Sequence, residues 1–402
     1  MFIPTRRLRA LLAAIAIVAG LLCLPNPGGD SPAPAWVAPG PGPGLVYLDG
    51  HREGPRIRAG AAILIEAHTG TVLFAHNEHE RRPMASTTKI MTALVALETA
   101  ALDDRVTVSP QAVRVPGSDA GLRPGQTLTL RELLHGLLLP SGNDAANVIA
   151  EHVAGSQAAF VDLMNARAQE LGAHRTRFAN AHGLDAPGHY STAYDLALIA
   201  RTAMLYPTFS QIVRTPEFQP ESISRTWRNT NRLLWAFAGI EGIKTGTTSG
   251  AGYCLVAAAS RSGMRLIAVV LGSPDRYGDT VRLLEYGFDR FHLLTLASHG
   301  QEVARVQVPE GLDPLAAVVD GDFRAVVRDA DINRLQVQVV LDAVRPPIAA
   351  GQVVGRLEVA GGDGRALVQA PLLAQAPVAR RTPWAAFWRW IQVQFHRERS
   401  PR

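Results

Sequence analysis

Ser86 and Lys89 stand three residues apart in RRPMASTTKIMTAL, residues 81–94. Pro83 and the apolar run from Ile90 predict a helix with Ser86 near its start. Residues three apart on a helix share a face, so the hydroxyl and the amine can meet. A serine hydroxyl is a weak nucleophile at its own pKa and needs a neighbouring base. A lysine amine serves as that base only when burial or nearby charge keeps it unprotonated. Arginine does not lose its proton in a protein. The chain carries 40 Lys plus Arg, yet reading it through finds lysine only at positions 89 and 244. Where nearly every positive charge is arginine, Lys89 occupies a place where a guanidinium would be chemically useless.

Two further short motifs follow. Ser141-Gly142-Asn143 lies just after Pro140, at an interruption between two helical patterns. Residues i and i+2 of a turn can direct a hydroxyl and an amide into one cavity, although Ser and Asn are also ordinary turn residues. Lys244-Thr245-Gly246 opens an apolar strand. Side chains at 244 and 245 project from opposite faces of that strand, and Gly246 lets another backbone approach. A compact ammonium there suits a substrate carboxylate. It also has the plainer reading of a lysine at a strand end.

In order and separated by 55 and 103 residues, the three motifs are far more specific than any one alone. Ser-x-x-Lys, Ser-x-Asn and Lys-Thr-Gly form the signature of penicillin-binding proteins and class A β-lactamases. With the surrounding stretches AAILIEAHTGTVLFAHN, LLHGLLLPSGNDAANVIAEHVAG, MNARAQELGAHRTRFANAHGLDAPGHYSTAYDLALIA and GIKTGTTSGAGYCLVAAA, the chain over about 60–291 resembles the low-molecular-mass D-alanyl-D-alanine carboxypeptidases. The resemblance implies a serine peptidase that trims peptidoglycan stem peptides, is acylated by β-lactam antibiotics and needs neither metal nor other cofactor. It implies Ser86 as nucleophile, Lys89 as base and Ser141 as proton relay. Asn143, Lys244, Thr245 and Gly246 would bind substrate, and the N–H groups of Ser86 and Thr247 would form the oxyanion hole. Such a hole contributes about 3–4 kcal/mol per donor in other acyl-transfer enzymes. Thr247 departs from the family, which often carries a larger aromatic or His there; this bears on substrate preference and deacylation, not on the backbone N–H. A class A β-lactamase would carry Glu-x-x-Leu-Asn after the second motif, and none occurs between 143 and 244. An endopeptidase or transpeptidase on the same fold, or a non-catalytic cell-wall binding protein, is the alternative.

The elements that must position these residues read as α+β. AAILIEAHTGTVLFAHN, 61–77, is two apolar runs around His68-Thr69-Gly70, a hairpin pattern. Amphipathic helices follow, one capped by Ser191 or Thr192. Residues 242–272 read as two strands turning at Arg261-Ser262-Gly263, with a helix over DTVRLLEYGFDRF. Strands at both ends with helices between predict a sheet assembled from distant segments. The resemblance specifies a β-lactamase/transpeptidase-like domain: an antiparallel sheet with helices on both faces plus a helical subdomain. From about 300, alternating stretches such as EVARVQV and LQVQVVLD predict a small all-β domain. The expected organisation is a signal peptide over 1–35, a Pro/Gly-rich linker over 36–58, the catalytic domain over 59–297, the β domain over 298–376 and a C-terminal amphipathic helix over 377–402.

That last segment carries three of the six Trp, at 384, 388 and 390. Trp384, Phe387, Trp388, Ile391 and Phe395 share a face and Arg389, Gln392, His396 and Arg399 oppose them, a pattern suited to a membrane surface. At the other end, Arg6, Arg7 and Arg9 precede the apolar run 10–24, a secretory pattern. Ala33-Pro34-Ala35 offers a cleavage site, and a retained membrane anchor is the other reading. Either exports the body, to the periplasm or the outer face of the cytoplasmic membrane. Removing 1–35 takes away three Arg and one Asp and lowers the net charge from +5 to +3. With no basic–aromatic interleaving in the body, nucleic acid is not a partner. Of the two Cys only Cys254 lies beyond the export signal. The exported body therefore has no internal disulfide and relies on packing.

Overall fold

The structure is a computed structural model and describes residues 44–221, 223–360, 366–384 and 387. Its contacts divide the chain into two compact units. The larger runs to Leu294 and includes Val326–Ile332; the smaller takes Thr295–Ala325 and the residues after Ile332. The sequence places its border at 297–298, so the two divisions differ by three residues and by the short return of Val326–Ile332.

The larger unit is built on a six-stranded sheet. Its spatial order is Val46–Tyr47, Thr71–His76, Ala61–Glu66, Met264–Ser273, Gly252–Arg261 and Ile240–Thr248. Five strands are antiparallel neighbours. The sixth, Val46–Tyr47, adds in parallel to Thr71–His76, so the sheet is mixed rather than purely antiparallel. Those two residues fall inside the expected 36–58 linker; Pro and Gly on either side concealed so short a strand. The region 242–272 also differs from its reading. It holds parts of three strands, because the chain turns a first time between Thr248 and Gly252 and again at Ser262-Gly263.

Both faces of the sheet are buried. Ile63 and Ile65 pack in one core with the helices Lys89–Thr99 and Ala193–Ala203, whereas Ala62 and Leu64 pack in another with Leu283 and Leu284 of the helix Arg276–Arg290. Alternate residues of a strand leave opposite faces, so a sheet covered on both sides needs apolar residues throughout. AAILIE is fully buried. Around the first core gather Leu130–Leu138, Asn143–Ala154 and Gln157–Glu170, with Asn143–Ala154 packed against the other two and against Lys89–Thr99. Thr129 and Glu132 close a capping box on Leu130–Leu138. Thr192, not Ser191, caps Ala193–Ala203 by accepting from the Asp195 N–H.

The smaller unit holds a five-stranded antiparallel sheet ordered Glu302–Val306, Leu315–Val319, Ala366–Ala374, Val353–Ala360 and Gln336–Leu341. Its own core includes Leu315, Val319, Phe323, Val354, Leu357, Val359 and Leu372. The export signal expected over 1–35 lies outside the described residues. So does most of the amphipathic helix expected over 377–402. Trp384 and Phe387 are described, helical and exposed, with ring centroids 6.2 Å apart.

Candidate active site

Ser86 lies in a single 3-10 turn, Ala85–Thr88, that runs directly into the helix Lys89–Thr99. Met84, Ala85, Thr87, Thr88 and Lys89 are buried, and Ser86 alone of this group is partly exposed. Ala85 holds a left-handed backbone, with φ 49°. A non-glycine residue in that region costs of order 1–3 kcal/mol and persists only where its surroundings enforce it. Here the surroundings include two glycines. A methyl placed on Gly183 would lie 2.1 Å from the Ala85 carbonyl oxygen. One placed on Gly246 would lie 3.0 Å from the Met84 carbonyl oxygen and 3.1 Å from the Ser86 nitrogen. Gly246 thus does what its place in the strand predicted: it admits the Ser86 turn against the sheet edge.

The Lys89 Nζ is fully buried and has three neighbours. Ser86 Oγ is 3.1 Å away, Asn143 Oδ1 2.7 Å and the His182 carbonyl oxygen 2.5 Å. Two of these are pure acceptors, and a neutral amine has two N–H groups and one lone pair. Donation to Asn143 and His182 uses both hydrogens and leaves the lone pair for the Ser86 hydroxyl proton. Burial first, and the Lys244 charge second, hold Lys89 well below the ordinary lysine range, against an opposing pull from Asp144.

Ser141 has a left-handed backbone, φ 69°, in the turn between the helices Leu130–Leu138 and Asn143–Ala154. Its hydroxyl is buried and has no hydrogen-bond partner among the described residues. Asn143 opens the second helix, and its Nδ2 donates to the Pro116 carbonyl at 2.7 Å. The next residue, Asp144, accepts from the N–H groups of Ala120 and Leu122, and Trp227 donates to the Ala120 carbonyl. A loop at 116–122 is therefore tied to the start of that helix. Asn143 spans from this loop to the Lys89 amine.

Lys244, Thr245 and Gly246 lie buried on the edge strand Ile240–Thr248. Burial, then the Arg276 charge, lowers the Lys244 pKa to about 7. Thr245 Oγ1 is 2.6 Å from Thr230 Oγ1. Thr247 is exposed and accepts from Arg276 Nη1 at 2.8 Å through its Oγ1; Arg276 also donates to the Gly246 carbonyl at 2.9 Å. The guanidinium sits 5.3 Å from the Tyr253 ring centre and 5.1 Å from that of Tyr277.

The fold thus brings Ser86, Lys89 and Asn143 into direct contact, and Gly246 against the Ser86 turn. Two participants had no sequence signal. Arg276 is one of many arginines, and His182 contributes only its backbone oxygen. The His182 imidazole, partly buried, and the His189 imidazole, buried, are both lowered to about 4 by desolvation, hence neutral at pH 7. His189 Nδ1 accepts from the Ala179 N–H, which leaves Nε2–H to donate to Thr88 Oγ1.

Comparison with known proteins establishes the family of the chain. Residues 50–275 match the family model of D-alanyl-D-alanine carboxypeptidase, and residues 291–380 match that of the penicillin-binding protein 5 C-terminal domain. The chain is 36% identical over 333 residues to the D-alanyl-D-alanine carboxypeptidase DacF of Bacillus subtilis, covering 79% of this chain and 85% of that one. It is 35% identical over 364 residues to DacC of Escherichia coli, covering 86% and 90%. Among solved structures, penicillin binding protein 5 from Haemophilus influenzae superposes with a TM-score of 0.75 at 31% identity, over 82% of this chain and 99% of that one. A Streptomyces K15 DD-transpeptidase reaches 0.57 at 38%, over 58% and 99%. With a penicillin-binding protein fold and these family matches, the chain belongs to the D-alanyl-D-alanine carboxypeptidase family of serine peptidases.

Proposed function

We propose that the chain removes the terminal D-alanine of peptidoglycan stem pentapeptides through an acyl-enzyme on Ser86. The observation that carries this reading is the Lys89 amine, buried, with two acceptors and the Ser86 hydroxyl around it. Ser86 Oγ attacks the carbonyl of the penultimate D-Ala while Lys89 takes its proton. The backbone N–H groups of Ser86 and Thr247 stabilise the developing oxyanion. Ser141 passes a proton toward the leaving amine, and its otherwise unpartnered buried hydroxyl supports that role. Lys244 and Thr245 bind the terminal carboxylate, with Arg276 adding positive charge at the same strand end. Asn143 holds the substrate amide. Its contacts with Lys89 and Pro116 also make it the brace of the base. Water then attacks the acyl-enzyme and releases the trimmed peptide. A β-lactam forms the same ester on Ser86 and stalls there.

The body of the chain acts outside the cytoplasm in this reading, with the aromatic face of the expected C-terminal helix resting on the membrane surface. Charge and aromatic spacing support that placement.

Release of D-Ala from a purified pentapeptide, with endopeptidase and transpeptidase products followed in parallel, tests the activity. Fluorescent penicillin should label the wild type and not Ser86→Ala, whose thermal unfolding should match the wild type. A folded wild type that neither labels nor releases D-Ala would leave only a cell-wall binding role.

A further inference from the structure

We propose that Asp185 is a positioning residue for the acyl-transfer step, joining the loop that serves the base to the hairpin that carries the oxyanion donor. This rests on the roles proposed above for Lys89 and Thr247. The loop His182-Gly183-Leu184-Asp185 touches the site twice. His182 gives its carbonyl to the Lys89 amine at 2.5 Å, and Gly183 packs against the Ala85 carbonyl beside the nucleophile. Asn180 makes the loop rigid, accepting from the Gly183 N–H at 2.6 Å and donating to the Leu184 carbonyl at 2.9 Å. At its end, the Asp185 carboxylate reaches the turn that follows Lys-Thr-Gly. One oxygen accepts from Thr248 Oγ1 at 2.7 Å and the other from the Gly250 N–H at 2.9 Å.

Thr247 therefore lies between two restraints. Arg276 holds the preceding carbonyl and the Thr247 hydroxyl, and Asp185 holds the following residue. An oxyanion donor works only when its N–H is already aimed at the developing charge. Without the carboxylate, the hairpin turn and the loop lose their shared hydrogen bonds. The nucleophile, the base and substrate-binding Lys244 all remain. The loss should then appear in the chemical step, not in binding.

The test is steady-state D-Ala release by full-length wild type, Asp185→Ala, Thr248→Val and the double variant, each with a thermal unfolding curve. Asp185→Ala should lower kcat by about ten- to a hundredfold, with KM within about threefold of wild type. Thr248→Val should lose less. The double variant should lose less than the product of the two single losses, because both changes remove the Asp185–Thr248 hydrogen bond, while Thr248→Val alone also removes the acceptor of the Ala251 N–H. Asp185→Asn, which keeps an oxygen for Thr248 but cannot accept from both donors, should fall between; it carries the test if the alanine variant does not fold. A kcat for Asp185→Ala within about twofold of wild type would overturn the proposal. So would a loss wholly in KM, or a double variant whose loss is the product of the single ones. A wild type that releases no D-Ala would instead remove the catalytic reading on which the proposal stands.

Discussion

The two largest sheets among the described residues are both largely antiparallel, yet the units built on them bury different things. Among the described residues, every buried polar or charged side chain lies between Glu66 and Thr280, in the larger unit. Lys89, Lys244, Asn143 and Ser141 are among them. The smaller unit closes over an apolar core and buries no polar or charged side chain among the residues described. Its edge strand Gln336–Leu341 leaves Val337 and Val339 exposed. Burying an amine is unfavourable unless it neutralises or is paired. The larger unit bears that cost at Lys89, which burial holds well below the ordinary lysine range and which the proposed mechanism uses as a neutral base beside the Ser86 hydroxyl. Under the proposed function, the residues used for chemistry all lie in the unit that buries polar groups.

The sharpest way to break the contrast is to exchange the buried amine for a group that stays charged. Lys89→Arg should lower penicillin acylation and D-Ala release by about a hundred- to ten-thousandfold, the range of a lost general base. Retention of a tenth of wild-type D-Ala release would refute the neutral-amine mechanism.

Next comes a pair of matched glycines, one from each unit. Gly183 and Gly321 both have positive φ, 93° and 84°. Alanine adds similar backbone strain at either place. Only at Gly183 does the new methyl meet another backbone, the Ala85 carbonyl; nothing lies within 4 Å of one at Gly321. Gly183→Ala should reduce acylation by about a hundredfold. Gly321→Ala should cost only about 1 kcal/mol of stability, with acylation unchanged. Equal acylation by the two variants, measured with fluorescent penicillin, would show that the loop contact is irrelevant to the site.

The two lysines should also separate by pH. In the proposed mechanism Lys89 must be neutral to act, so kcat/KM should fall on the acid side as it gains a proton. In the same mechanism Lys244 must be charged to hold a carboxylate. Its pKa is lowered, so the charge is present below about 7 and lost above it. The alkaline limb of kcat/KM should begin near that value and fall about tenfold per pH unit. Lys244→Arg, which cannot deprotonate, should abolish that limb and leave the acid limb in place. An unaltered alkaline limb in this variant would assign it to another group.

The smallest effect on activity belongs to the smaller core. Leu372→Ala, at a fully buried position, should destabilise that unit by about 2–5 kcal/mol. D-Ala release below its unfolding temperature should be unchanged. A parallel loss of kcat would mean that the apolar unit contributes to chemistry after all.

Much of this was legible in the chain because it is local. Ser86 and Lys89 meet through three residues of helical spacing, the hairpin of Ala61–Glu66 and Thr71–His76 follows from two apolar runs and one turn, and Gly246 was readable as a point of close approach. The short parallel strand Val46–Tyr47 was not, since two residues carry no period. The turn at Ser249-Gly250-Ala251 was missed because apolar residues resume directly after it.

By itself the sequence determined which residues could do the chemistry, since side-chain type and short spacing are covalent facts. Only the tertiary structure decided the state of the amine. Its acceptors come from Asn143 and the His182 backbone, 54 and 93 residues away along the chain. Its low proton affinity comes from burial among elements that no local pattern brings together. Arg276 and Asp185 reach the strand end and turn after Lys-Thr-Gly for the same reason: a side chain's neighbours across a fold are set by how distant segments pack.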